Sequence, residues 1–88
     1  MHVEFTNRFN KQLDEAPLSI QISFRESLEV FLDDLNNIIL RNHFLHILGK
    51  RHFGIWSIDI ADDWRALYRK EKDSIIFIEL GTHKKLYK

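Results

Sequence analysis

Two stretches of the sequence gather groups suited to binding an anion and moving protons beside it. Arg41 to Gly54 holds Arg41, Lys50 and Arg51 together with His43, His46 and His52, and no carboxylate. Gly81 to Lys88 holds Lys84, Lys85, Lys88 and His83, again without a carboxylate. Histidine suits proton transfer because its ordinary pKa, about 6.5, lies near working pH. The formal charge of zero conceals an asymmetry: residues 1–40 carry three Lys/Arg against seven Asp/Glu, and residues 41–88 carry ten against six. A polyanionic partner accounts for such patches without a basic overall pI. The plainer alternative is a solvated surface. With no cysteine there is neither a disulfide nor a thiolate metal site. His43 and His46, three residues apart, make only a weak ligand pair, so no metal and no cofactor is expected.

These groups need a scaffold. Eighty-eight residues are expected to form one domain, 1–88, with a small core that a bound partner could help to stabilise. Two Trp and seven Phe supply enough apolar volume to exclude disorder. His2 to Phe5 is a short strand. Asn7 to Glu15 is a helix with Phe9 and Leu13 on one face, ended by Pro17. Leu18, Ile20, Ile22 and Phe24 alternate like a strand, but Phe24, Leu28, Phe31 and Leu35 follow a helical stripe, and residues 18–35 are assigned to a second helix. Residues 38–52 carry no decisive pattern. Ile55 to Ile60 is a strand with Trp56, Ile58 and Ile60 on one face and Ser57 and Asp59 on the other. After a turn at Ala61-Asp62-Asp63, Trp64 to Arg69 returns, with Trp64, Ala66 and Tyr68 opposite Arg65, Leu67 and Arg69. Glu71-Lys72-Asp73 turns into Ile75 to Leu80, apolar enough to be buried on both faces. The order β-α-α-β-β-β gives an α+β fold. The alternation brings Asp59 and Arg65 onto one face of the hairpin.

The segment from Gly54 to Tyr68, Gly-Ile-Trp-Ser-Ile-Asp-Ile-Ala-Asp-Asp-Trp-Arg-Ala-Leu-Tyr, resembles the central hairpin of the RelE/ParE toxin superfamily. The tail Gly81-Thr82-His83-Lys84-Lys85-Leu86-Tyr87 is similar to that of the YafQ-like, RelE–StbE branch of mRNA interferases, where an aromatic follows the terminal histidine by four residues. The resemblance implies a RelE-like fold: an N-terminal strand and two helices packed on a mainly antiparallel sheet. It also implies site residues. His46 stands seventeen residues before Asp63, the spacing of the YafQ-like pattern, and Asp63-Trp64 matches that pattern's Asp-Trp pair. The local string Leu40-Arg41-Asn42-His43-Phe44-Leu45 offers His43 as the equivalent instead. Arg65 matches an arginine that related members place at the scissile phosphate, and His83 and Tyr87 match the terminal histidine and aromatic. One departure is that Asp59 stands where the pattern has a second histidine.

What the resemblance implies chemically is coherent. RNA carries its own nucleophile, a 2′-hydroxyl, and its cleavage needs a base, an acid and a cation at the phosphate rather than a metal. His46 or His43 would pair with His83 for proton transfer, Arg65 would grip the phosphate through its planar fork, and Asp63 would orient a histidine. Tyr87 and Trp64 would stack on or position a base. Lys50, Arg51, Lys84 and Lys85, with His43, would contact RNA. Each residue also has a structural alternative: His46 among Leu45, Ile47 and Leu48 as a core histidine, Trp64 as core, Asp63 as a turn former, Arg65 as half of a salt bridge to Asp59.

The function implied is that of a type II toxin, a metal-independent, ribosome-dependent mRNA endoribonuclease. The alternatives are a ParE-like gyrase inhibitor of the same fold and a binding module without activity. A toxin of either kind requires a cognate antitoxin encoded nearby, with an acidic or disordered segment, so a hetero-oligomer is expected. No secretory leader pattern and no apolar run approaching the roughly 20 residues of a membrane span is visible, which fits a cytoplasmic protein acting on mRNA.

Overall fold

The computed structural model describes residues 2–33, 43–44 and 54–86. The chain begins with β1 (His2–Phe5), followed by α1 (Asn7–Glu15) and α2 (Leu18–Asp33). A two-residue strand β2 (His43–Phe44) precedes the meander β3 (Trp56–Ala61), β4 (Trp64–Lys70) and β5 (Ser74–Thr82), and α3 (His83–Leu86) closes the described chain. The expected α+β fold is present, with β2 and the single turn of α3 added to the expected order. The described strands form one mixed sheet in the order β1-β5-β4-β3-β2. Only the β1–β5 pairing is parallel, centred on Val3 opposite Ile75 and Glu4 opposite Ile76.

Local chemistry sets the element ends. The Thr6 hydroxyl accepts a hydrogen bond from Phe9 N (3.0 Å) and caps α1. Pro17 cannot continue α1 but suits the entry to α2, where its carbonyl accepts from Ile20 N and Gln21 N. Gln21 Nε2 donates to Ala16 O (3.0 Å) across the corner.

The main core lies between the two long helices and one face of the sheet. Phe9, Phe24 and Phe31 meet Phe77 and Tyr68 in a web of ring contacts with centroids 5.0–6.0 Å apart, and Ile58, Ala66, Ile75 and Leu80 complete it. Burial pushes the Tyr68 hydroxyl's pKa well above the ordinary value near 10. Leu67, between Ala66 and Tyr68 on β4, points to the opposite face by the period-two rule. There it forms a second, smaller cluster with Ile55, Leu86 and Ile78.

β1 pairs with β5 only as far as Phe77, and α1 covers the edge beyond. Thr6 N donates to Phe77 O (3.0 Å), the Thr6 hydroxyl donates to Ile78 O (3.2 Å), and Gln12 Oε1 accepts from Leu80 N (2.7 Å). These contacts satisfy backbone groups that an open edge would leave to water. They also fix the far end of β5, where the candidate site lies. Among the described residues no helix is long and apolar enough to cross a membrane.

Candidate active site

The site is assembled where the β3–β4 turn meets the end of β5. Asp62 takes a left-handed backbone conformation (φ 51°), which Asp tolerates better than most side chains. The next residue, Asp63, offers its carbonyl to His83 N at 2.7 Å. That bond ties the first residue of α3 to the turn. Within α3 the Thr82 hydroxyl accepts from Lys85 N (3.3 Å), and Leu86 folds back onto the sheet. Leu86 Cδ2 lies 3.4 Å from where a Cβ on Gly81 would sit. Leu86 therefore packs directly on the Gly81 backbone and anchors the turn that carries His83.

Arg65 is the ladder partner of both Asp59 on β3 and Gly81 on β5. It lies on the face away from α1 and α2, with Leu67. Its Nε stands 3.1 Å from Asp59 Oδ1, and both side chains are 25% exposed. The alternation expected of this hairpin therefore holds, and it delivers Asp59 and Arg65 to one face as an ion pair. Immediately beyond the pair the register shifts, from Asp59 opposite Arg65 to Ala61 opposite Trp64. Such a bulge bends a strand locally and re-aims its side chains.

The other site residues expected from the sequence fall in four groups. Asp63, His83 and Lys84 are exposed at the same end of the sheet as Arg65. Trp64 faces the helices, on the opposite side of β4 from Arg65, and packs partly against the main core. Its remaining surface lines a cleft of about 240 Å³ with Gln12, Glu15, Ala16, Leu80, Gly81 and Lys85. The structure thus brings Asp63, Arg65 and His83 to one corner but separates Trp64 and Arg65 by the sheet. His43 belongs to β2, with its backbone opposite Ser57. That rung is two residues from the Arg65 rung and two strands across, so the two Cα atoms lie about 12 Å apart. His46, Lys50, Arg51 and Tyr87 lie outside the described residues.

Two features had no signal in the sequence. The wall that α1 contributes to the cleft depends on Gln12 meeting Leu80, 68 residues away, and no local pattern encodes that contact. Ser57, on the same face of β3 as Asp59, is fully buried, with a hydroxyl that has no hydrogen-bond partner among the described residues.

This architecture, two helices on one face of a mixed sheet with a turn-to-tail corner at its end, is that of the RelE-like toxins. The E. coli YafQ crystal structure (strain BL21(DE3)) superposes with a TM-score of 0.79 at 16% identity, covering 98% of this chain and 97% of that one. YafQ in the E. coli DinJ–YafQ toxin–antitoxin complex gives 0.76 at 17% identity, covering 98% and 96%. The RelB–RelE antitoxin–toxin complex of Methanococcus jannaschii gives 0.73 at 20% identity, covering 96% and 94%. At these identities the likeness is one of fold. No curated protein is significantly similar in sequence. The family described as bacterial toxin of type II toxin–antitoxin system, YafQ, matches residues 1–88. The chain belongs to the YafQ family of type II toxins.

Proposed function

We propose that the chain is an endoribonuclease that cleaves messenger RNA on the ribosome, in the cytoplasm, and is neutralised by a cognate antitoxin. The observation that supports the reading is of the backbone: the Asp63–His83 bond (2.7 Å) and the pairing of Arg65 with Gly81 root an arginine and a histidine at one corner of the sheet. Their Cα atoms lie about 8 Å apart, from one strand spacing across and two residues along. Two side chains rooted at that separation can serve one phosphodiester.

In this reading Arg65 binds the scissile phosphate and offsets the charge that develops on its oxygens. His83 donates a proton to the departing 5′-oxygen. His46 or His43 removes the proton from the 2′-hydroxyl as it attacks phosphorus, leaving a cyclic phosphate and a free 5′-hydroxyl. A positioned acid or base contributes about 10²–10⁴-fold. Asp63 holds the His83 backbone, and Tyr87 positions a base, while Trp64 stays on the helix side of the sheet. Lys50, Arg51, Lys84 and Lys85 meet RNA phosphates, whose binding weakens with salt. YafQ and RelE are both found in complexes with an antitoxin. By analogy an acidic segment of this chain's own antitoxin covers the exposed Lys84 and Lys85.

The test is purified protein on messenger RNA with and without ribosomes, with fragment ends mapped. Cleavage that needs ribosomes and is lost in His83→Ala supports the reading. Intact message alongside inhibited DNA supercoiling by gyrase would replace it with a non-nuclease toxin.

A further inference from the structure

We propose that Asp59 is a positioning residue of the toxin: its carboxylate orients the Arg65 guanidinium for the phosphodiester. The inference rests on the phosphate role given to Arg65 above. Three observations support it. Asp59 and Arg65 are directly opposed across the β3–β4 ladder, with Oδ1 3.1 Å from Nε. Each is 25% exposed, so the pair is open enough for a phosphate to approach, yet sheltered enough to hold one geometry. The register shift follows directly after Asp59, so the pair sits at the last regular rung before the turn that holds the His83 backbone.

Stability does not account for the pair. A largely buried ion pair adds little net stability, because taking two charges out of water offsets much of their attraction. Orientation is the larger effect. An unrestrained arginine samples many rotamers. A carboxylate 3.1 Å from Nε draws the guanidinium by charge attraction toward one side of the ladder and so narrows the set of rotamers it samples. Catalysis is sensitive to such placement, since a 1 Å error can cost about 100-fold. Asp59 need not touch the RNA; it acts through Arg65.

A double-mutant cycle on ribosome-bound message tests this, using Asp59→Asn and Arg65→Ala singly and together, with Asp59→Glu as the conservative variant. Asp59→Asn is expected to lower kcat by roughly 10- to 100-fold with little change in KM, and Asp59→Glu to recover part of the loss. In the Arg65→Ala background Asp59→Asn is expected to add almost nothing. An equal loss from Asp59→Asn in both backgrounds would overturn the inference, because Asp59 would then act independently of Arg65. A gain of activity in Asp59→Asn would also overturn it, by making the pair a restraint rather than a guide. Unchanged cleavage by Arg65→Ala is a distinguishable failure: it removes the phosphate role itself, and the inference with it.

Discussion

Leu86 is the residue through which the fold holds the candidate acid. It is 4% exposed and packs on Leu67, Ile55 and Ile78. Truncation to Ala forfeits most of the transfer free energy of a buried leucine, about 1.5–3 kcal/mol. The added cavity cost should be small, because the cluster is a satellite near the chain end and can collapse. At roughly 0.05–0.15 kcal/mol per residue, a domain of this length is stable by about 4–13 kcal/mol, so Leu86→Ala should remain folded at 25 °C. A loss of about 2 kcal/mol corresponds to a fall in Tm of roughly 8–16 °C. If α3 undocks before the rest unfolds, the fall will be smaller and the damage confined to residues 83–86. In either case His83 loses its seat. The expected result is a folded protein with cleavage reduced by an order of magnitude or more and fast amide exchange in α3. Thermal melting, hydrogen exchange and ribosome-dependent cleavage report the three parts separately. Wild-type cleavage from a variant whose α3 amides exchange freely would refute the claim that docking of α3 places the acid.

Further outcomes follow from the same geometry. Thr6→Ala removes the α1 cap and the bond to Ile78 O and should cost about 1 kcal/mol, read as a lower urea midpoint with unchanged cleavage at 25 °C. Asp62→Gly relieves the left-handed strain at φ 51° and should be neutral or slightly stabilising, whereas Asp62→Val should destabilise by about 1–2 kcal/mol; denaturant melts compare the two. Tyr68 keeps its proton in the folded state above the ordinary tyrosine range. The unfolded chain releases that proton near pH 10, so this contribution to stability is intact below pH 10 and declines above it. Absorbance at 295 nm should show Tyr68 ionising together with alkaline unfolding; a folded protein ionising Tyr68 near pH 10 contradicts the assigned burial.

The parts of the fold legible in the sequence are those governed by local periodicity. β1, α1 and the three-strand meander follow from short-range alternation and from breakers such as Pro17. α2 was ambiguous because Leu18 and Ile22 are apolar yet exposed. They complete a false two-residue alternation with Ile20 and Phe24, whereas Ile20, Phe24 and Phe31 form the true buried stripe. Ala61 extends β3 rather than opening the turn, β5 runs on to Thr82 rather than stopping at Leu80, and His83 opens α3. That last difference is non-local, since α3 forms where Leu86 finds Gly81 and Leu67. The Asp59–Arg65 pair was readable because strand alternation is strict. The opposed facing of Trp64 and Arg65 follows from the same rule and is legible in the alternation of residues 64–69, although it conflicts with giving both a role at one site. The role of α1 as a cover for β5 was not readable, because it depends on contacts between the two ends of the chain.

The account depends most on Arg65 and His83 serving a single phosphodiester. A crystal structure of the protein with an RNA carrying a 2′-deoxy nucleotide at the cleavage point, which removes the nucleophile and preserves the phosphate, tests this directly. The account requires the Arg65 guanidinium and the His83 imidazole within hydrogen-bonding distance, about 3 Å, of oxygens on the same phosphate. Bound RNA with the two side chains on different phosphates, or with His83 turned away from the Arg65 face, would contradict it.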